Sequence, residues 1–324
     1  MQSAHVEQLY AEKLITEQEY SALNEQLKQP VSLYADLTTL LYTGIILLAT
    51  GIGVIIYENI DSIGHGVIVA GIALLCISCF IYCFKKAPGF SAGRQSTPNI
   101  FADYILLLGC LLLLTLAGYL QYQFNLFGNH LGLATFIPMV LLFFAAYYFD
   151  HIGVLSLAIT NLAAWAGIAV APLNFISDND LSSTHLIYTG IILGIGLFII
   201  ALLSEKYNFK AHFGYTYCNF SVHLLFISLL AGMFYYDTLY LIWFVLIMAT
   251  TAFMWQHAIS RRSFYFFVVT VLYGYVAVCY VVILFLSALS GVAAFYAYII
   301  WFIASGVALM KLFIHYNKII NKHA

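Results

Sequence analysis

The sequence predicts an all-α fold: a polytopic membrane helix bundle of about ten transmembrane helices, with a short N-terminal cytosolic helical hairpin. Three observations carry this. Of 324 residues, 63% are hydrophobic and 8% are charged, where a soluble domain has about 25% charged residues. The apolar residues gather into ten runs long enough to cross a bilayer as helices. The twelve Lys and Arg residues all fall on one side of the chain threaded through those runs.

Residues 1–35 read as the hairpin and 36–324 as the transmembrane domain. AHVEQLYAEKL is one amphipathic piece; Thr16 with Glu19 makes a capping-box pair for a second, EQEYSALNEQL, which Pro30 ends. Leu9, Leu14, Tyr20, Leu23 and Leu27 line up as one apolar seam. A unit this small buries too little to stand alone. It is expected to pack on the membrane domain, on a second copy or on a protein partner through residues 5–28. No apolar run of the signal-peptide kind precedes residue 36, so the first membrane helix is expected to be its own uncleaved targeting signal.

The ten segments are 37–57, 65–84, 103–120, 131–149, 152–173, 187–203, 213–234, 238–259, 264–286 and 291–313. Each is read as a helix, because an isolated strand cannot satisfy its backbone in lipid. A closed barrel would need alternating polar and apolar residues, which these runs lack. With the N-terminus in the cytoplasm, Lys13, Lys28, Lys85, Lys86, Arg94, Lys206, Lys210, Arg261, Arg262, Lys311, Lys318 and Lys322 all lie inside. The opposite loops (58–64, 121–130, 174–186, 235–237 and 287–290) contain neither Lys nor Arg. The positive-inside rule then puts both termini in the cytoplasm. Tyr57, Tyr122, Tyr147, Tyr148, Tyr235 and Tyr236 are expected near the interfaces as an aromatic belt.

Several function classes are excluded or unsupported. A net charge of -2 without a basic stripe argues against nucleic acid as a partner. No Walker loop, HExxH, GxSxG or kinase signature is present, and neither a nucleophile–base pair nor a metal set is visible, so no enzyme activity and no cofactor is expected. Cys76, Cys79, Cys83, Cys110, Cys218 and Cys279 lie within apolar runs and suggest no disulfide framework. Cys76, Cys79 and Cys83 share a helix face, a spacing that suits a soft metal but also plain helix packing. Gly190 and Gly194 make a small-xxx-small pair for close helix packing.

The candidate site is a polar layer near the bilayer midplane. Tyr215, Asn219 and His223 recur every four residues on one face of the seventh segment. His223 lies ten residues past Phe213, about 15 Å deep at about 1.5 Å per residue. By the same count Asn161, Thr250, Thr251, Tyr273 and Tyr275 reach a similar depth. Polar side chains there are costly and tend to face a bundle interior or a watery cavity. The layer is read either as a binding or permeation site or as interhelical hydrogen bonding that holds the bundle together. Asp103, Asp150 and His151 are expected at helix ends, within reach of water.

YTGIIL occurs at 42–47 and again at 188–193, in helices of opposite direction. An inverted repeat of two five-helix halves would produce such an echo, as in many secondary transporters.

LYAEKLITEQEYSALNEQL, followed by a glycine-rich helix with Gly51 and Gly53 and an acidic turn at Glu58-Asn59-Ile60-Asp61, resembles a bacterial predicted-membrane-protein family, number 2157 among domains of unknown function. The resemblance covers about residues 5–85. It implies a protein of the bacterial inner membrane and no particular activity. The hairpin is also similar to short bacterial oligomerisation modules, through Ile15, Thr16, Glu19 and Tyr20. The functional expectation is transport of a small solute through the midplane layer. The alternative is a membrane scaffold or sensor that recruits a partner through the hairpin.

Overall fold

The computed structural model describes residues 64–87, 89–95, 100–128, 130–170, 184–287 and 292–321, with scattered positions before residue 59. Among the described residues there are nine long helices and no strand: α1 (His65–Lys86), α2 (Ile100–Phe124), α3 (Leu131–Phe149), α4 (Ile152–Val170), α5 (Thr184–Lys206), α6 (Phe213–Tyr235), α7 (Tyr240–Ser260), α8 (Phe264–Leu286) and α9 (Val292–Asn321). Each is long and apolar enough to cross a membrane, and they coincide with the second to tenth apolar segments. Most of the hairpin at 1–35, its expected boundary with the membrane domain and most of the first segment, with half of the first YTGIIL copy, lie outside the described residues. The chain divides into two compact units, Met1–Ile68 and Val69–Ala324.

α6 is the hub of the second unit. Of its spanning window 61% is buried, against 17% for α2 and 6% for α9. It packs on α4, α5, α7 and α8. Its contact with α5 is the closest of these, and the glycines explain it. A Cβ on Gly194 would come within 3.0 Å of the Leu225 backbone, and one on Gly190 would collide with Ser228. Ser221 Oγ donates to the Gly194 carbonyl at 2.7 Å across the same contact. Without a hydrophobic drive between helices in lipid, such close backbone approach is what holds a pair.

α3 and α4 form a tight hairpin. Asp150 ends α3 at φ 58°, a left-handed position that Asp tolerates better than most residues. His151 then starts α4, its Nδ1 accepting from the Val154 N–H at 3.1 Å. Within α3, Pro138 has no N–H to give to the preceding turn. One residue on from the carbonyl it leaves, Thr135 O accepts from Asn161 Nδ2 at 2.8 Å, a polar tie from α4 to α3 beside the proline.

Cys76, Cys79 and Cys83 pack on α2. Cys76 donates to Gly109 O and Cys83 to Ala102 O, and Cys79 Cβ lies 3.0 Å from where a Gly109 Cβ would stand. α9 runs eight residues past its expected end at 313 to Asn321. Its 30 residues make about 45 Å at about 1.5 Å per residue, more than the hydrocarbon core. The last turns therefore carry Lys311 and Lys318 as helix, since charged side chains stop the membrane span without stopping the backbone ladder.

Candidate functional site

The structure divides the expected layer into separate groups. The first is a ladder along the α6–α8 seam. Tyr265 OH donates to Asn219 Oδ1 at 2.7 Å. His223 Nε2 lies 3.1 Å from that same hydroxyl and His223 Nδ1 lies 2.9 Å from Tyr273 OH. The donors can be assigned in order. Tyr265 has one proton and gives it to Asn219, so it accepts from His223 Nε2–H. Nδ1 then accepts from Tyr273. A neutral imidazole satisfies every position in this one-way chain. Tyr215 adds its ring, 6.3 Å from the Tyr265 ring and 5.1 Å from Phe266.

The ladder runs along the helix axis instead of across the bundle. Tyr265 and Tyr215 lie at the starts of α8 and α6, and His223 and Tyr273 lie deep in both. It is also half open: Tyr215 is 55% exposed and Tyr265 42%. Tyr265 did not figure in the depth count, because it sits at a helix start.

The remaining expected residues lie elsewhere. Asn161 serves α3, as above. Thr250 spends its hydroxyl on its own helix, at Leu246 O. Thr251 is buried against Gly274 of α8. Tyr275, two residues from Tyr273 and so about 200° around a helix, turns to α9 and bonds Ser305 Oγ at 2.9 Å.

A second polar group was not anticipated. Three connections meet at one end of the bundle: 89–95 between α1 and α2, the α3–α4 turn and the six residues 207–212. Lys210 Nζ lies 2.7 Å from Asp150 Oδ1, with the two side chains 0% and 1% exposed. His212 Nε2 lies 2.8 Å from the same oxygen, and the Gln95 N–H donates to Asp150 Oδ2. The Lys210 N–H donates to Ala92 O at 2.8 Å, and its ammonium lies over the Phe90 and Phe213 rings. Asp150 is therefore buried, contrary to its expected contact with water, because the loops fold over it. Burial alone would push its carboxyl up; the Gln95 N–H, Lys210 and His212 outweigh that and hold it below its ordinary value. The nearby Arg261–Glu205 ion pair ties the α7–α8 connection to the end of α5. The basic connections after α1, α5 and α7 thus share one end of the bundle, as the charge pattern requires.

What these groups can do differs. The Lys210 knot is closed and fully paired, and it fastens loops. The ladder presents exchangeable hydroxyl, imidazole and amide groups on a partly open seam, which suits hydrogen bonding to a small guest. No curated protein and no solved structure matches the chain. The resemblance read at residues 5–85 extends to the α3–α4 hairpin and takes in Gln95 and Asp150, while α5–α9 lie beyond it. Residues 7–155 of this multi-pass membrane chain match the model of the family described as Predicted membrane protein (DUF2157).

Proposed function

We propose that this protein resides in the bacterial cytoplasmic membrane with both termini inside, and that it passes a small, weakly polar solute along the α6–α8 ladder. The observation that carries the reading is the half-open state of the ladder. Polar groups that serve only as helix glue are normally shut away from lipid, whereas Tyr215 and Tyr265 stay exposed beside the bonded His223. A hydroxylic solute can replace one tyrosine in the chain and be replaced in turn. No bond-making step is part of this reading; the ladder binds and hands on. The orientation rests on the one-sided basic loops.

The test is flux of glycerol, ethanol and phenol into proteoliposomes. His223→Ala should lower the flux of at least one of them about tenfold, with the yield of folded protein unchanged. Flux equal to the wild type for all three would sink the proposal. Reporter fusions after Asp237 and at the C-terminus test the orientation, with the first expected outside and the second inside. The scaffold reading is favoured by the apolar seam of Leu9, Leu14, Tyr20, Leu23 and Leu27. It expects deletion of residues 1–30 to abolish capture of a partner while flux persists.

A further inference from the structure

The face of α8 turned away from the ladder borders a cavity of about 540 Å³ between α7, α8 and α9. This is within the usual size of small-molecule sites, about 300–1,000 Å³. No charged residue lines it. Gly274 lets α7 and α8 close behind it, since a Cβ there would stand 3.0 Å from Thr251 Oγ1 and Cγ2. The aromatic rings of Trp255, Tyr275 and Trp301 form part of the wall.

Two donors in this wall are unspent. Thr251 Oγ1 and Trp301 Nε1 are buried and have no hydrogen-bond partner among the described residues. Thr251 is 7% exposed. Thr43, Thr115, Thr160 and Thr250 each give their hydroxyl to the carbonyl one turn back; Thr251 and, outside this wall, the fully buried Thr270 do not. An indole N–H is only a donor, so nothing but an acceptor can satisfy it. The other two polar side chains in the wall, Tyr275 and Ser305, are bonded to each other. The wall thus holds two unpaired donors beside two hydroxyls that are already bonded.

Depth narrows the occupant. Thr251 lies nine residues from the end of α7 and Gly274 ten from the start of α8. That is about 14–15 Å from the basic end, the middle of a core about 30 Å thick. The ester carbonyls of a bilayer phospholipid stay at the edge of that core, too far out to meet the two donors. A molecule dissolved in the hydrocarbon layer reaches them.

We propose that the α7–α8–α9 cavity binds an uncharged, mainly hydrocarbon molecule through a carbonyl oxygen that accepts from Trp301 Nε1 and Thr251 Oγ1. The site is separate from the ladder, and the inference does not depend on solute flux. The aromatic wall suits a flat conjugated carbonyl compound. Tetramethyl-1,4-benzoquinone and tetramethylbenzene are therefore a matched pair of probes, similar in size and differing in the acceptor.

The full chain in nanodiscs should bind the quinone saturably and the arene at least tenfold more weakly. Trp301→Phe and Thr251→Val, which remove the N–H and the hydroxyl while keeping shape, should each weaken the quinone about five- to tenfold. Thr160→Val should not. Thr251→Val should also melt no lower than the wild type without ligand, because it removes an unpaired polar group. Absent quinone binding, equal binding of the arene, or affinity untouched by both substitutions overturns the proposal. So does a melting temperature lowered by Thr251→Val, which would mean that the hydroxyl is already spent. A phospholipid retained on purification and lost in Trp301→Phe, seen by native mass spectrometry, would assign the site to the bilayer's own lipid and overturn it as well.

Discussion

Lys210 holds three connections together at one end of the bundle, and replacing it by methionine tests how much. The substitution keeps the length of the stem and removes the ammonium. Asp150 is then left as a carboxylate with a side chain 1% exposed. Removing one partner of a buried pair costs about 3–5 kcal/mol. Asp150 would retain the Gln95 N–H and His212, so the expected cost is at the lower end, about 3 kcal/mol. Lys210→Met with Asp150→Asn removes both charges. Asn suits the left-handed backbone of Asp150 and still accepts from Gln95, so the double variant should return to within about 1 kcal/mol of the wild type. The assay is unfolding of the full chain in mixed detergent–SDS micelles, followed by circular dichroism. The sign of the pH dependence is also fixed. The Asp150 carboxyl is held below its ordinary 3.8, so its contribution is complete above that value and is lost as pH falls through the folded-state pKa. A cost under about 1 kcal/mol for Lys210→Met, or a double variant no better than the single one, would refute the reasoning.

Burial, partly opposed by Asp103, holds the His151 imidazole below its ordinary 6.5, and neutral Nδ1 caps α4. The unfolded chain takes up this proton first, so stability should be intact above pH 6.5 and fall below it, by at most about 1.4 kcal/mol per pH unit. His151→Asn, which caps without titrating, should flatten that slope between about pH 6.5 and 5; a slope that persists would count against the cap. Gly194→Ala should cost about 1–3 kcal/mol, because the new methyl meets backbone that cannot yield. Gly196→Ala, with nothing within 4 Å, should be neutral in the same unfolding assay, and equal effects would contradict the packing argument. Asn161→Leu should cost about 0.6–1.7 kcal/mol by removing its interhelical bond to the Thr135 carbonyl, and a stabilised variant would show that the bond contributes nothing.

Helices were easy to read from this sequence because lipid leaves the backbone few alternatives. The runs at 131–149 and 264–286 match α3 and α8 to the residue. Hydropathy was blind where the helix outruns the membrane, so the end of α9 was missed. The Lys210 knot was missed for a different reason. Asp150 lies 55 to 62 positions from Gln95, Lys210 and His212 in sequence, and charged residues beside apolar runs read as wetted. A usable signal was present in Phe209-Lys210-Ala211-His212-Phe213. Aromatic residues on both sides of a basic residue, in a short connection, leave the ammonium little path to water and favour a buried carboxylate partner.

Depth along a helix was legible; direction around it was not. Counting residues puts His223, Tyr273, Tyr275 and Thr251 at one level; His223 bonds Tyr273, and Thr251 packs against Gly274 between the two tyrosines. At about 100° per residue, however, Tyr273 and Tyr275 point to opposite sides of α8. Tyr273 enters the ladder with His223, and Tyr275 enters the cavity wall with Ser305. A single helix thereby separates two polar environments of different character. On the α6 side the hydrogen bonds close on one another and end at Asn219. On the α9 side two donors, Thr251 and Trp301, remain unpaired in an apolar wall. The hydrogen-bond chain accounts for its own polar groups, so its function depends on exchange. The cavity does not account for its own, and that imbalance makes it the stronger place to look for a tightly held molecule.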